Sequence, residues 1–268
     1  MKTILISILL SLLFTGLHAQ SDNQTYGKVY YERVLNYDGT PSSRMFTLLF
    51  NSDFAVFYGE KSPPGDGISI KESNEDEFDL SFNLSLDRDR FIVLTDFAAG
   101  RVQSQVATLK DGRQQTFIVN EDIANLNWNI ETEYKLIDKM KAQKATCEFR
   151  GRKYIAWFSG DIPVKYGPWK LHGLPGLILA VADEKNEVMF HAKSIRIPLD
   201  PELVSKEDYQ FQGDAKEISL KEYLKIEDNI AAEFIKLITS KLPRGAKMEL
   251  SDGSFNQIEL DYEDEAIR

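Results

Sequence analysis

The chain is poor in the residues that carry redox, metal and charge-relay chemistry. It contains one cysteine, Cys147, and three histidines. A single thiol excludes an intramolecular disulfide. In the pattern Ala145-Cys147-Phe149 the thiol falls on an apolar strand face, so it reads as buried and inert. Neither the cysteine nor His172 and His191 have the spacing of a structural zinc site. Phosphate-cradling glycine loops, a dinucleotide fingerprint, a zinc-protease helix and a nucleophile elbow are all missing. Basic surplus is missing too. With 42 acids against 32 bases the net charge is −10, which argues against nucleic-acid binding. After residue 19 no apolar run is long enough to span a bilayer.

What is present begins with a leader. Lys2 supplies a positive start, Ile4 to Phe14 an apolar stretch, and Leu17-His18-Ala19 a small-residue end, so residues 1–19 read as a signal peptide cut before Gln20. The mature chain, 20–268, is expected to be one β-rich domain, periplasmic or secreted, without a membrane span. Within it, residues 59–81 combine Ser62-Pro63-Pro64-Gly65 with five acids between Lys71 and Asp79 and read as an acidic mobile loop.

Short strands separated by turn residues fill most of the rest. They are expected at Lys28 to Leu35, Met45 to Phe50, Phe54 to Tyr58, Phe91 to Phe97, Arg101 to Leu109, Gln115 to Val119, Trp128 to Asp138, Gln143 to Phe149, Lys153 to Ser159, Leu177 to Ala182 and Glu187 to Ile197. Tight turns between nearly all of them imply an antiparallel meander. In Met45 to Phe50 both alternating sets are apolar, so both faces of that strand should be covered. Helix signals come late. Asp200-Pro201-Glu202 suggests a short helix near 201–207. Ser219-Leu220-Lys221-Glu222 is a capping box, and Leu220, Tyr223, Leu224, Ile230, Phe234, Leu237 and Ile238 mark one long amphipathic helix over 219–241. The alternation Gln257 to Tyr262 suggests a final edge strand.

One stretch, Ala156 to Leu179, organises the chain. It holds three of the nine prolines, four of the sixteen glycines and two of the three tryptophans. Ile162-Pro163 and Gly167-Pro168 make residues 160–173 an ordered, extended loop. Gly173, Pro175 and Gly176 form a structural turn, with Pro175-Gly176 at the centre of a type II turn and Gly176 at positive φ. Two readings follow. Either the loop is a rigid corner whose Trp169, Tyr166 and Leu174 plug the core, or it is a binding rim presenting Trp157, Asp161, Tyr166, Trp169, Lys170 and His172. His191 reads as a hydrogen-bonded strand residue, and Asp161 is the acid to watch.

The hexapeptide Gly173-Leu174-Pro175-Gly176-Leu177-Ile178 resembles the signature of the GLPGLI family of exported bacterial proteins. So do Gln143 to Thr146, Phe149 to Tyr154, Ala156 to Phe158 and Gly167-Pro168-Trp169-Lys170. The match is dense over 143–179 and thin elsewhere. A cysteine often seen just before the Gln-Lys-Ala-Thr run would fall at Ala142, so a cysteine-based family role does not carry over to Cys147. The resemblance implies export and a common fold, and no reaction or cofactor.

The fold expectation is mainly β (α+β): a curved antiparallel sheet or half-barrel of about ten strands, with the long helix on its concave side, similar to lipoprotein carriers. A two-layer sandwich is the alternative. Function is expected to be that of an envelope binding or carrier module, its partner an amphiphilic small molecule or an outer-membrane transporter. The alternative is a hydrolase using acids near the signature loop; catalysis is the less favoured class, and no catalytic residue is assigned.

Overall fold

A computed structural model describes residues 26–37, 39, 41–59, 68–74, 77–82, 91–111, 113–203, 210–211, 213–239 and 258–259. The expected leader, 1–19, therefore lies outside the described residues, as does most of the expected strand at 257–262. The described residues form fourteen strands: β1 (Tyr26–Leu35), β2 (Ser42–Phe50), β3 (Phe54–Gly59), β4 (Ile68–Asn74), β5 (Glu77–Phe82), β6 (Ile92–Asp96), β7 (Arg101–Lys110), β8 (Arg113–Asp122), β9 (Asn129–Ile137), β10 (Met140–Phe149), β11 (Arg152–Ser159), β12 (Leu177–Asp183), β13 (Val188–Leu199) and β14 (Lys216–Ser219). Two helices follow, α1 (Leu220–Glu227) and α2 (Ile230–Thr239). The acidic stretch read as a loop over 59–81 carries a hairpin, since β4 and β5 pair with each other.

Twelve strands form one sheet in the order β14-β8-β7-β6-β3-β2-β1-β13-β12-β11-β10-β9. The chain walks outward from β1 to β8, crosses to the far edge, and walks back from β9 to β13, where β13 pairs with β1. All pairings in this sheet are antiparallel except β14 with β8, which is parallel and departs from the expected meander. Turn chemistry sets the hairpins. Asp138-Lys139 joins β9 to β10 and Arg150-Gly151 joins β10 to β11, each with positive φ at both central residues, the twist that a two-residue hairpin needs.

The crossover dictates a curl. Laid flat at a spacing of about 4.8 Å, β8 and β9 would lie roughly 48 Å apart. Residues 123–128 can bridge only about 25 Å at full extension. The sheet therefore bends until its two ends approach, open rather than closed, with the crossover as its strap.

Its inner face carries the main core. Phe46 of β2 stacks on Phe57 of β3 with centroids 5.0 Å apart, and Phe57 meets Phe190 of β13 edge-on at 5.9 Å. Tyr31 donates a hydrogen bond to the Ile178 carbonyl at 2.5 Å, tying β1 to β12. Leu49 and Val56, on the opposite face of β2 and β3, are buried as well, as the two-sided apolar sequence requires.

The helical region is shorter than expected. The capping box forms: Ser219 Oγ accepts from the Glu222 amide at 3.2 Å, and Glu222 Oε2 accepts from the Ser219 amide at 2.9 Å. The helix then stops at Asp228-Asn229, where Asn229 Nδ2 donates to the Lys225 carbonyl at 2.7 Å and ends the turn. Leu220, Tyr223 and Ile226 pack on Phe117, Val119 and Ile218. Phe117 and Val119 share a face with Glu121 by strand alternation. The helix thus sits on the concave side, at the β14 end, as two short pieces rather than one long cover.

Candidate functional site

The concavity is filled by the segment between β11 and β12, residues 160–176. Trp169 is 4% exposed, and its ring lies 5.4 Å from Phe149 and 6.4 Å from Tyr154, centroid to centroid. Leu171 and Leu174 are buried beside it. Tyr166 donates from its hydroxyl to the Asn51 carbonyl in the β2–β3 turn, and burial pushes that hydroxyl up to about 12. His172 sets its ring edge against Phe97, its Nδ1 2.8 Å from the Lys170 carbonyl oxygen. Burial lowers its pKa, against the opposing hydrogen bonds of the Lys170 and Ala124 carbonyls. Trp128, ending the crossover, donates from Nε1 to the His172 carbonyl at 2.8 Å.

The turn is built differently from the type II expectation. Gly173 has φ +94°, while Gly176 is not among the glycines at positive φ. Gly176 is instead required by close approach: a Cβ there would stand 2.2 Å from the Ser159 carbonyl oxygen.

Beside Trp169 lies a buried ionic cluster that the sequence did not announce. Arg150 donates from Nη2 to Glu121 Oε2 at 2.5 Å, and Lys170 Nζ pairs with Glu121 Oε1 and, at 2.7 Å, with Glu259 Oε1. Arg150 Nε stands 3.7 Å from Glu259 Oε2. Burial alone would lower the Lys170 pKa, but Glu121 and Glu259 outweigh it and hold the ammonium above its ordinary value. Two cations facing two carboxylates leave the cluster neutral, the condition under which buried charge is tolerated. A second bridge stands next to it: Arg152 donates to Asp183 at 2.8 Å, Glu187 at 2.6 Å and the Ile258 carbonyl at 2.8 Å. The short piece 258–259 is thus tied to both arginines of the β10–β11 turn.

The candidate residues therefore separate. Tyr166, Trp169 and Lys170 are inside the core, with Lys170 only 7% exposed, and His172 follows them half-buried. Trp157 lies on β11, half-buried, with Lys135 of β9 4.0 Å above its ring. Asp161 is exposed and has no partner among the described residues. Cys147 is buried, and burial pushes its thiol up to about 12, as its strand pattern implies. No group of three or more metal-ligating side chains occurs among the described residues.

What the molecule exposes is β9, the last strand of the sheet. Ile130 is 45% exposed, Tyr134 49% and Leu136 74%. The alternate residues Glu131 and Glu133 pair with Lys144 of β10 at 3.2 and 3.0 Å. Three large apolar side chains exposed on an edge strand are unusual, and the register of β9 against β10 shifts between Tyr134 and Ile130, an irregularity of the kind that interrupts an edge. Sequence alternation over 129–137 contains this signal, but only the strand order shows that β9 has no second neighbour among the described strands.

Fold and site together define a curled, open β-sheet protein whose interior is occupied by its own loop. Residues 118–180 match a family model described as a protein of unknown function (Porph_ging). That match contains the stretch 143–179 on which the GLPGLI resemblance rests, under a different family name. No curated protein matches the chain. A structure of PNGF-II is similar with TM-score 0.51 at 14% identity, over 78% of this chain and 34% of that one. The chain thus spans about a third of PNGF-II, and the likeness is one of fold. A DUF1329 family protein from Desulfovibrio piger aligns at TM-score 0.27 and 12% identity, over 70% of this chain and 93% of its own. A domain described as an outer membrane lipoprotein-sorting protein, from Vibrio parahaemolyticus, aligns at TM-score 0.25 and 10% identity, over 69% and 88%.

Proposed function

We propose that the protein is an exported binding module of a bacterial envelope, and that it docks on a protein partner through the outer edge of β9. The observation that carries this reading is the pairing of a filled interior with an exposed apolar edge. Trp169, Leu171 and Leu174 occupy the volume that a carrier would give to its ligand, while Ile130, Tyr134 and Leu136 lie open on a strand with a free side. An edge strand offers main-chain hydrogen bonds for affinity and alternate side chains for specificity, the mode by which a partner strand is added to a sheet. Export is supported by Lys2, the apolar run Ile4 to Phe14 and Ala19. An outer-membrane transporter is a partner of suitable location. Among the described residues no helix is long and apolar enough to cross a membrane.

An amphiphilic small molecule keeps one surface candidate, the Trp157 ring under Lys135, where a cation and an aromatic face meet at 4.0 Å. The other candidates, Tyr166, Trp169, Lys170 and His172, would serve a ligand only if residues 160–176 left the interior. A hydrolase would have to recruit Asp161 without a neighbouring acid or base, and nothing in the site favours that.

The docking surface is tested by placing a photo-cross-linking amino acid at Leu136 in cells, with Lys185 in the β12–β13 turn as control. Adducts are expected from position 136 and not from 185. No adduct from either position would overturn the reading.

A further inference from the structure

The outer, convex face of the sheet carries a trough along β12. Ladder registers fix its walls, because directly opposed residues share a face. Trp157 of β11 opposes Ala180 of β12, which opposes His191 of β13. Two residues along, Ile155 opposes Ala182, which opposes Met189. The alternate residues Tyr154, Ala156 and Phe190 belong to the core, so these two rows face outward. The register shift between β11 and β12 falls beyond Trp157, and the ladder along the trough is regular. Two alanines thus make a floor between four larger, half-buried side chains, with Ala182 itself partly open. The strands that carry the walls lie about 10 Å apart, two strand spacings, which leaves room between the side chains for one alkyl chain. The Lys153–Glu184 ion pair, at 3.1 Å, closes one end. From Ala180 to Glu184 the trough runs about 13 Å.

Charge at the other end names the occupant. Four lysines surround the trough, and three have carboxylates: Lys153 with Glu184, Lys144 with Glu133 at 3.0 Å and Lys193 with Glu32 at 2.8 Å. Lys135 has no ion-pair partner among the described residues. Its ammonium stands 4.0 Å above the Trp157 ring, which holds it in place without neutralising it. Burial against the ring lowers the Lys135 pKa, with the Glu133 charge opposing, so the ammonium is partly stripped of water and still lacks an anion. Its charge is felt at His191, across the floor from Trp157. We propose that the trough binds a monoanionic amphiphile, its carboxylate on Lys135 and its apolar chain over Ala180 and Ala182, between Ile155 and Met189. The proposal rests on the Trp157 surface candidate kept above for an amphiphile, and adds to it a floor, a length and a charge. It is independent of docking through Tyr134 and Leu136, which flank Lys135 in β9 and so point to the other face.

Methyl NMR of the protein, labelled at alanine and methionine and titrated with decanoate below its micelle concentration, tests the trough. Saturable shifts are expected at Ala180, Ala182 and Met189, and none at the core methyls of Ala145 and Ala156. Decanol and decyltrimethylammonium should each bind about fivefold or more weakly than decanoate, because neither supplies an anion to Lys135. Lys135→Gln should weaken decanoate by about fivefold and remove its advantage over decanol, while Lys135→Arg keeps the charge and stays within about twofold of wild type. Ala182→Leu should fill the floor and abolish binding with an unchanged urea midpoint, since that side chain faces outward. Absence of saturable shifts at Ala180 and Ala182, or decanol binding as tightly as decanoate, overturns the proposal. Shifts confined to Ala145 and Ala156 would put the amphiphile in the interior and overturn it too. Binding lost in Lys135→Gln but kept in Ala182→Leu would retain the Trp157 candidate and overturn the trough. The cross-link at position 136 reports on the β9 edge alone, so the two readings fail separately.

Discussion

Glu121 lies 2.5 Å from Arg150, although one is on and the other directly follows the second strand in from opposite ends of the sheet. Glu121 is near the end of β8, and Arg150 opens the turn that follows β10. Their contact crosses the interior and holds the curled sheet shut where no ladder closes it. Lys170 joins the same carboxylate from the signature loop, so the loop is held at the point where the ends of the sheet meet.

Removing one member of this cluster should leave a buried charge without its counter-ion. Glu121→Ala and Lys170→Met are each expected to lower unfolding free energy by about 3–5 kcal/mol. Their double variant should lose less than the sum. Urea midpoints unchanged in either single variant would show that the cluster does not hold the ends together.

Trp169→Ala should cost roughly 3–5 kcal/mol, because the ring fills space between Phe149 and Tyr154. Unfolding at the wild-type midpoint would mean that the ring is not a plug.

Gly176→Ala and Gly173→Ala should differ. At Gly173 the penalty is that of positive φ, about 1 kcal/mol, because a new methyl would meet only the Trp128 ring, at an ordinary contact distance of 3.9 Å. At Gly176 the methyl meets a backbone carbonyl at 2.2 Å, so strands β11 and β12 must separate, at a cost of about 3 kcal/mol or more. Equal losses would argue against this close approach.

Acidification should destabilise the fold through its histidines. Burial holds His172 and His191 below their ordinary pKa, so the unfolded chain takes up those protons first. Stability is complete above about pH 6.5 and falls as pH drops below it. Glu227 acts in the opposite sense, because burial raises its carboxyl and the folded state gains that proton first. Between about pH 7.5 and 5.5 the loss of stability should be smaller in His172→Gln than in wild type. Parallel pH profiles would show that His172 is not held neutral.

Much of the sheet was legible in the sequence, because alternation and turn residues are local. Eleven of the fourteen strands stand where runs such as Phe54 to Tyr58 and Lys153 to Ser159 put them. The hairpin β4–β5 was hidden by acidic composition, and β14 by its brevity. The curl was not legible from periodicity, since a contact such as Glu121 to Arg150 has no sequence period. The long helix failed at Asp228-Asn229, where a side chain caps what the apolar spacing continues through. In the signature loop the plug and the rim both fitted the composition; Trp169 and Lys170 differ from rim residues only in the partners that bury them.

Amide hydrogen exchange of the purified chain, with and without a dodecyl-chain amphiphile, is the most direct measurement of whether the interior is filled by the chain's own loop. Residues 160–176 are expected to exchange at the same rate in both. Slowed exchange at 160–176 on adding the amphiphile would contradict the filled interior and return function to it.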